Sequence, residues 1–381
     1  MVDLVFFVDI STLFEVNYTG IPNVNYKIVE YLFNEKYQDI TYFFHCERTV
    51  KRSIIAELLK KRTGKNLLAL HHSQEMYEFY IDSILKEINC LSVGIFSNIK
   101  TIKNKFTYEA QLIYDLTFLL TPELHHQDTI KWHTSTIESD ISTDDLCICI
   151  SESTREDLVN YLQFPIEKTL VSHLGYDRSL RENPIYSNII NKYDIEKFIL
   201  VIGTIEPRKN IQLILKFLES NPQVLEEYKF VFLGRDGWGK TFKETLARVK
   251  LKSQVKRDRI KHFGYVTEEE KNILLMTANF LIYSSVYEGF GLPVLEALGC
   301  GCPVLTSMTS SIPEVGENAV TYFEPYNLTS FEASFFQLVT NLEQNRQEII
   351  AAGLAQAEKF TWSAFMERAI ARIKSDTANK K

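Results

Sequence analysis

The segment YSSVYEGFGLPVLEALGCGCPVLTS, residues 283–307, joins the end of an apolar strand to a glycine turn and then to a helical pattern. Pro293 stands where the first helical position is expected, and proline favours that position. A strand that passes through a short turn into a helix is the repeating unit of a parallel sheet covered by helices. The segment therefore predicts an α/β domain in which a helix begins at the carboxyl edge of a sheet.

Apolar runs of the same kind recur along the whole chain, and most of them precede a helical pattern. In the C-terminal half they lie at residues 198–203, 229–234, 259–266, 279–285 and 303–307. In the N-terminal half they lie at residues 5–9, 42–44, 112–116, 147–151 and 169–175. Two series of alternating strands and helices predict two doubly wound α/β domains.

A polar segment with Pro184 and little periodicity, residues 178–197, separates the two series and predicts a linker. We therefore predict an N-terminal Rossmann-like domain over residues 1–180 and a C-terminal one over residues 181–360. Residues 361–381 are predicted to form a last helix, which packs back on the N-terminal domain, and a polar tail. Ligands of open α/β sheets bind beyond the carboxyl ends of the strands, so functional residues are expected in the strand-to-helix turns.

Composition and charge exclude several classes of protein. The formal net charge of -7 argues against a general affinity for nucleic acid. No stretch reaches the roughly 20 uncharged apolar residues of a membrane-spanning helix. The apolar N-terminus carries Asp3 and Asp9 and lacks a basic leader, which is typical of a first strand and not of a signal peptide. These features favour a soluble cytoplasmic protein, and the six cysteines without a Cys-x-x-Cys motif fit reduced thiols.

One segment is strongly basic in spite of the acidic total. Residues 48–65, RTVKRSIIAELLKKRTGK, place seven Lys and Arg residues around an amphipathic core. A solvated helix face explains such a pattern. The alternative is peripheral contact with anionic lipid headgroups at the inner face of a membrane, or with a phosphate-linked acceptor.

The glycine turn of residues 283–307 has the features of a site for a phosphorylated ligand. The first amides of a helix lack partners within the helix, and the helix dipole favours negative charge there, so a diphosphate or sugar hydroxyls fit the turn. Glu296, about one turn into the helix, is placed to accept the hydroxyls of a ribose, and Glu288 stands at the mouth of the turn. The alternative is a purely structural turn with two exposed glutamates.

A second turn lies in VIGTIEPRKNIQLIL, residues 201–215. Gly203 ends a strand, and Arg208 and Lys209 stand just before the next helix. Two cations at a helix N-terminus suit a leaving diphosphate, because negative charge grows on the departing oxygen in the transition state. An exposed basic pair is the alternative for this turn taken alone.

The two turns together resemble the retaining glycosyltransferases of family 4, which have the GT-B fold. Glu-x7-Glu around Gly-Phe-Gly-Leu-Pro resembles the family signature, and Glu-Pro-Arg-Lys-Asn resembles the phosphate-binding turn of one branch, with Lys209 at the place of the family's lysine. Thr204 departs from the Gly-Arg of many members. The resemblance implies an α/β fold of two doubly wound Rossmann-like domains that face each other across a cleft. It implies donor binding by Gly20, Gly203, Val266, Gly289, Phe290, Gly291, Leu292 and Glu296.

The N-terminal half matches the same family more weakly. Gly20, in a loop after the first strand, resembles a family glycine that lies against the donor phosphates. Asp115 in IYDL corresponds to the Asp of a family His-Asp-Leu segment, whereas Tyr114 replaces the histidine. The resemblance thus implies acceptor binding by Tyr114 and Asp115, and it places Asp115 in a catalytic set with Arg208, Lys209 and Glu288. A helix-capping or loop role for Asp115 is the alternative.

The resemblance implies retaining transfer of a hexosyl group from a nucleotide-sugar to a glycan or lipid-linked glycan in bacterial surface polysaccharide synthesis. The combination of Thr-Gly-Ile with Glu-Pro-Arg-Lys-Asn is similar to bacterial mannosyl- and rhamnosyltransferases, so GDP-mannose is the first expected donor and dTDP-rhamnose the second. No metal or cofactor is expected, since metal-ligand spacing and an Asp-x-Asp motif are lacking. A sugar-nucleotide epimerase of the same fold and a non-catalytic sugar-nucleotide-binding module are the alternatives.

Overall fold

The computed structural model describes residues 4–16, 18, 20–34, 37–177, 195–249 and 258–378. The predicted linker, residues 178–197, lies almost entirely outside these described residues. The chain divides into two compact units. The first unit comprises residues 1–116, 131–175 and 362–381, and the second comprises residues 117–130 and 176–361.

The first unit is built on an eight-stranded sheet within the described residues. Its strands are β1 (Leu4–Asp9), β2 (Thr41–His45), β3 (Arg48–Val50), β4 (Tyr77–Tyr80), β5 (Leu91–Phe96), β6 (Tyr108–Ile113), β7 (Leu146–Cys149) and β8 (Thr169–Val171). They pair in the order β4-β3-β2-β1-β5-β6-β7-β8. All neighbours from β2 to β8 are parallel, whereas β3 and β4 pair antiparallel at one edge. The carboxyl ends of β1, β2, β5 and β6 therefore share one edge of the sheet.

In the part of the second unit that the structure describes, six strands form a parallel sheet. Its strands are β9 (Phe198–Ile202), β10 (Lys229–Leu233), β11 (Ile260–His262), β12 (Leu281–Tyr283), β13 (Val304–Ser307) and β14 (Thr321–Phe323). They pair in the order β11-β10-β9-β12-β13-β14. The strand order reverses at β9 and β12, because the chain first builds outward to β11 and then returns to the other side of β9. Such a switch point is where ligands bind in doubly wound sheets.

Helices connect the strands of both sheets. In chain order they are α1 (Ile21–Asn34), α2 (Arg52–Lys61), α3 (Lys65–Leu70), α4 (Ile81–Glu87), α5 (Thr117–Leu120), α6 (Gln127–Ile141), α7 (Glu152–Leu162), α8 (Ile211–Ser220), α9 (Val224–Glu227), α10 (Phe242–Ala247), α11 (Glu268–Thr277), α12 (Leu292–Gly299), α13 (Ile312–Gly316), α14 (Leu328–Ala357) and α15 (Trp362–Thr377). Among the described residues, none of these helices has the length and apolarity that crossing a membrane would require.

The core of the second unit explains why its helices form where they do. On α8, Ile211, Leu215 and Leu218 are buried, and their spacing of four and three residues puts them on one face of the helix. That face belongs to an apolar cluster that includes Phe230 and Phe232 of β10. Burial of each such side chain stabilises the fold by about 1.5–3 kcal/mol relative to exposure. The packing fixes the N-terminus of α8 at the carboxyl end of β9.

The last helix, α15, is held by the sheet of the first unit. Tyr108 Oη on β6 donates a hydrogen bond of 2.6 Å to Asp376 Oδ2. Ser172 Oγ, just after β8, donates one of 3.0 Å to the Phe365 carbonyl oxygen. The C-terminal helix is therefore part of the first unit, although residues 176–361 of the second unit come directly before it in the chain.

A buried ion cluster closes the amino ends of β6 and β7. Lys100 Nζ lies 2.7 Å from Glu109 Oε2 and 2.5 Å from Asp144 Oδ1, and all three side chains are almost fully buried. Burial raises the pKa of Asp144 to about 7, although Lys100 acts in the opposite direction. The cluster lies at the opposite edge from the carboxyl ends of the strands, so we assign it a structural role.

Candidate active site

The first element of the site is the turn between β9 and α8. Gly203, directly after β9, has a φ of 147°, and a Cβ there would come within 3.2–3.3 Å of the Lys209 side-chain carbons. A short 3₁₀ helix, Pro207–Lys209, follows, and Asn210 in the left-handed region starts α8. Glycine at residue 203 therefore lets the Lys209 side chain lie across the end of the strand.

Arg208 and Lys209 converge on one carboxylate. Lys209 Nζ lies 2.5 Å from Glu288 Oε1, and Arg208 Nη1 lies 2.9 Å from Glu288 Oε2. Arg208 also binds Glu206 Oε1 at 3.0 Å through Nη2. The side chains of Arg208, Lys209 and Glu288 are 10–15% exposed, so the pairing takes place largely out of water. The structure thus brings together the three second-unit residues of the predicted catalytic set.

The charges of this cluster lower the pKa of Glu288. Burial alone would raise it, but Arg208 and Lys209 outweigh burial and bring the pKa to about 2. Burial lowers the pKa of Lys209, although Glu288 opposes that shift. Glu288 is therefore ionised at neutral pH and holds both cations in place before any ligand binds.

Backbone hydrogen bonds fix the loop that carries Glu288. The Val286 amide donates to the Arg208 carbonyl oxygen at 2.9 Å, and Ser284 Oγ donates to the Lys209 carbonyl oxygen at 2.8 Å. The Glu288 amide itself donates to Ser310 Oγ at 2.8 Å. The two strand-to-helix turns are thus joined directly, which explains why residues about 80 positions apart in sequence meet.

The glycine turn after Glu288 leads into α12 as predicted. Gly291 is the N-cap residue with a φ of 100°, and a Cβ there would lie 2.6 Å from Ile312 Cδ1. The helix begins at Leu292, so Pro293 is its second residue and not its first. Phe290 is buried and packs edge-on against Phe360, with 5.9 Å between the ring centroids. Phe290 is therefore placed to meet a ligand through its backbone, while its ring belongs to the core.

Glu296 is held by a residue that the sequence did not single out. Lys271 Nζ on α11 lies 2.9 Å from Glu296 Oε1 and 2.9 Å from Glu268 Oε2. Burial alone would lower the pKa of Lys271, but the two glutamates outweigh it and raise the pKa. The spacing of three residues between Glu268 and Lys271 on a predicted helix indicates an ion pair between them. The sequence gives no such indication for the ion pair of Lys271 with Glu296, which lies on another helix.

Tyr283 is a second residue that the sequence did not assign to the site. It ends β12, is buried, and accepts a hydrogen bond of 3.0 Å from Lys209 Nζ through Oη. The structure thus describes two acceptors, Glu288 and Tyr283, for the three N–H groups of the Lys209 ammonium. A small cavity lined by Gly203, Lys209, Tyr283, Ser284 and Ser285 lies beside them.

Val266 lies on the loop between β11 and α11. The following residues form the capping box that the sequence predicts, in which Thr267 and Glu270 each bind the other's backbone amide. Val266 is partly exposed and precedes the helix that carries Lys271. Val266 therefore follows β11 at the carboxyl edge of the second sheet, and Lys209 follows β9 at the same edge.

The remaining predicted site residues belong to the first unit. Gly20, with a φ of 56°, immediately precedes α1, and Thr19 of the Thr-Gly-Ile motif lies outside the described residues. Tyr114 and Asp115 follow β6 at the carboxyl edge of the sheet. Thr154 Oγ1 donates a hydrogen bond of 3.1 Å to the Tyr114 carbonyl oxygen, and burial raises the pKa of the Tyr114 hydroxyl. Their acceptor and catalytic roles stay predictions.

Part of the second unit matches a family model, and curated proteins are similar to the chain. Residues 182–355 match the family model described as glycosyl transferases group 1. The O-antigen chain mannosyltransferase B of Escherichia coli is 28% identical over 254 residues, which are 65% of this chain and 65% of that relative. The serotype-specific mannosyltransferase WbdA of Escherichia coli is 27% identical over 227 residues, which are 58% of this chain and 27% of that relative. The matches thus span less than two thirds of either relative.

Solved structures are similar over nearly the whole chain. HepE of Anabaena, solved in complex with UDP, superposes with a TM-score of 0.68 at 17% identity and covers 98% of this chain and 100% of its own. Sucrose-phosphate synthase of Thermosynechococcus elongatus has a TM-score of 0.66 at 14% identity and covers 98% of this chain and 99% of its own. These likenesses confirm the predicted fold class, α/β of the GT-B type with two doubly wound domains.

Proposed function

We propose that the chain is a retaining hexosyltransferase, because residues 182–355 match the glycosyl transferases group 1 family model. It moves a hexosyl group from a nucleotide-sugar to a glycan or lipid-linked glycan in bacterial surface polysaccharide synthesis. The observation that carries the proposal is the pair of largely buried cations, Arg208 and Lys209, that Glu288 holds at the switch point of the sheet. The mannosyltransferases of O-antigen chains among the relatives support the same biological setting.

Each group of the site has a role in this proposal. Arg208 and the remaining N–H of Lys209 bind the diphosphate, and the first amides of α12 add the positive end of a helix dipole. Glu296, oriented by Lys271, accepts the ribose hydroxyls of the nucleotide. Glu288 and the Gly289–Leu292 backbone hold the transferred sugar.

The reaction needs little chemistry from the protein itself. The bond between the anomeric carbon and the leaving phosphate oxygen breaks, and a bond from that carbon to the acceptor hydroxyl oxygen forms on the same face. The proton of the acceptor hydroxyl passes to the leaving phosphate oxygen, so a separate protein base is not required. The two cations stabilise the charge that grows on the diphosphate, and because Glu288 already orients them, no reorganisation is needed during the reaction.

GDP-mannose is our first proposal for the donor and dTDP-rhamnose the second. The named mannosyltransferases among the relatives support mannose. The complex of HepE with UDP supports only a nucleoside diphosphate of some kind in this fold.

A thermal-shift panel of GDP, UDP and dTDP tests the donor site. A nucleotide at about 100 times its Kd stabilises the folded protein by about 2.7 kcal/mol, which raises Tm by several degrees. We expect GDP to give the largest shift, and the Lys209→Ala variant to lose most of it. Equal, negligible shifts with all three nucleotides would argue against a donor site.

Peripheral contact with an anionic membrane is a further part of the proposal. On the edge strand β4, Phe79 and Tyr80 are 48% and 58% exposed, and Arg48 lies over the Tyr80 ring at 5.1 Å. Lys60 and Lys61 are exposed on α2 in the same sequence segment as Arg48. Exposed aromatic rings with basic residues suit the interface of a membrane, where each basic residue contributes about 1 kcal/mol.

Co-sedimentation with vesicles tests this contact. We expect binding to vesicles that contain phosphatidylglycerol, weaker binding at high salt, and none to pure phosphatidylcholine. Equal recovery in the supernatant with both kinds of vesicle would leave the basic segment as a solvated helix face.

A further inference from the structure

A second polar cluster lies in the first unit, at the carboxyl ends of β1 and β2. Asp9 is the last residue of β1 and His45 the last of β2, and the two strands are parallel neighbours. Ser11 follows β1 and lies between them. The cluster shares no residue with the donor site of the second unit, and it occupies the edge of a doubly wound sheet where ligands bind.

The hydrogen bonds of this cluster fix the tautomer of His45. The Ser11 amide and Ser11 Oγ donate to Asp9 Oδ1 at 2.9 and 2.5 Å. Ser11 Oγ also lies 3.1 Å from His45 Nδ1. Because the Ser11 hydroxyl proton is directed at Asp9, the hydrogen bond to His45 needs the proton on Nδ1. The lone pair of His45 is then on Nε2.

The surroundings keep the imidazole neutral. Burial lowers the pKa of His45, and His71 acts in the same direction. The Nε2 atom lies 3.5 Å from Sγ of Cys46, an exposed residue whose thiol is a weak donor. A hydroxyl group is a stronger donor than a thiol and would take its place on Nε2.

An aromatic ring adjoins the same imidazole. The Phe14 ring lies 4.3 Å from His45 between centroids, tilted by 34°, and it meets His71 edge-on at 6.4 Å. Phe14, His45 and His71 are all partly exposed. A partly exposed aromatic surface with a few fixed polar groups is the usual composition of a small-molecule site. The carboxylate of Asp9 and the lone pair of Nε2 disfavour phosphate oxygens and favour a hydroxyl donor.

We propose that His45 binds a hydroxyl group of the terminal, uncharged sugar of the acceptor glycan through Nε2, with Ser11 and Asp9 as positioning residues. This inference rests on the proposed transferase function and adds an acceptor subsite to it. His45 acts by binding, since the leaving phosphate takes the proton of the attacking hydroxyl.

Steady-state kinetics of full-length His45→Ala, with GDP-mannose as donor and mannobiose as acceptor, test the proposal. Loss of one hydrogen bond is worth about 1 kcal/mol, so we expect the acceptor KM to rise about fivefold to tenfold. The donor KM and the acceptor-independent hydrolysis of GDP-mannose should stay at wild-type values. His45→Gln, which keeps a hydrogen-bond acceptor, should recover part of the acceptor affinity, and His126→Ala serves as an exposed histidine control.

Three results would overturn the inference. These are an unchanged acceptor KM in His45→Ala, a changed donor KM, and a His45→Gln variant no better than alanine. If His45→Ala fails to fold, wild-type acceptor kinetics in the folded Ser11→Ala variant would equally overturn it. Wild-type protein that neither hydrolyses nor transfers from any nucleotide-sugar would instead refute the proposed function itself, whatever His45 does.

Discussion

Lys209→Ala should reduce sugar transfer on the order of a thousandfold while the protein stays folded. Lys209 supplies a fixed positive charge to the departing diphosphate, and removal of one such preorganised group typically costs a factor of 100 to 1,000 in kcat. The fold should tolerate the change because burial already opposes the Lys209 charge, and Glu288 keeps Arg208 as its partner. Transfer rates at saturating donor, with the circular dichroism spectrum and Tm, measure both effects.

Lys216→Ala is the matched control for this variant. Lys216 lies on the exposed face of α8, the helix that Lys209 precedes. Its loss should leave both transfer and Tm unchanged. If the Lys209→Ala enzyme kept more than about a tenth of wild-type turnover, Lys209 would not be the group that stabilises the departing diphosphate.

Glu288→Gln should lower both activity and stability. The variant no longer neutralises two largely buried cations, and a shift of the Glu288 pKa from 4.5 to about 2 corresponds to about 3 kcal/mol at neutral pH. Transfer should fall at least a hundredfold, because an uncharged glutamine cannot hold the Arg208 and Lys209 side chains in position. Urea unfolding and transfer rates of the same preparation measure the two losses.

The stability loss in Glu288→Gln should depend on pH with a defined sign. The folded-state pKa of Glu288 lies below its unfolded value, so its contribution is present above about pH 4.5 and is lost as the pH falls toward 2. Wild type and variant should therefore converge in stability over that range. Glu269→Gln, an exposed glutamate in the first turn of α11, should show no such difference. A stability gap that is constant from pH 7 to 3 would mean that Glu288 is not the ionised partner.

The second sheet could be predicted almost completely from sequence. Each of its strands from β9 to β13 is an apolar run that ends near glycine or serine, and the structure confirms all five. β14 was not predicted, since Thr321–Phe323 is short and half-exposed. In the first unit, β5 was not predicted either, and β3 and β4 were not expected. β14, β3 and β4 are short strands at or beside a sheet edge, and such strands carry little periodicity because their pairing depends on neighbours. β5 is a buried strand in the middle of the sheet, between β1 and β6, and the sequence analysis did not single it out.

The active-site candidates were predicted by position, but their partners were not. The rule that turns at one sheet edge converge brought Arg208, Lys209 and Glu288 together correctly. The hydrogen bond of Lys209 to Tyr283 and the ion pair of Lys271 with Glu296 depend on how helices pack in three dimensions. Sequence spacing alone carries no information about such contacts.

The orientation of the Phe290 side chain also could not be predicted from the sequence motif. Its place in the Gly-Phe-Gly-Leu-Pro turn predicted a donor-binding residue, whereas its ring is 3% exposed and packs in the core. When one side of a turn presents backbone amides to a ligand, its other side packs against the core. In this turn the group that packs against the core is the Phe290 ring. A motif thus marks the turn without stating which atoms of each residue face the ligand.

Analysis of the reaction product shows directly whether the protein is a retaining hexosyltransferase. Purified full-length protein is incubated with GDP-mannose and mannobiose, and the new linkage is read from the anomeric proton and carbon couplings in the NMR spectrum. We predict one free GDP for each sugar transferred and an α-linked product, as in the donor. A β-linked product would contradict the retaining mechanism. Release of no nucleotide and formation of no product, with GDP-mannose, dTDP-rhamnose and UDP-glucose alike, would contradict the assignment as a hexosyltransferase.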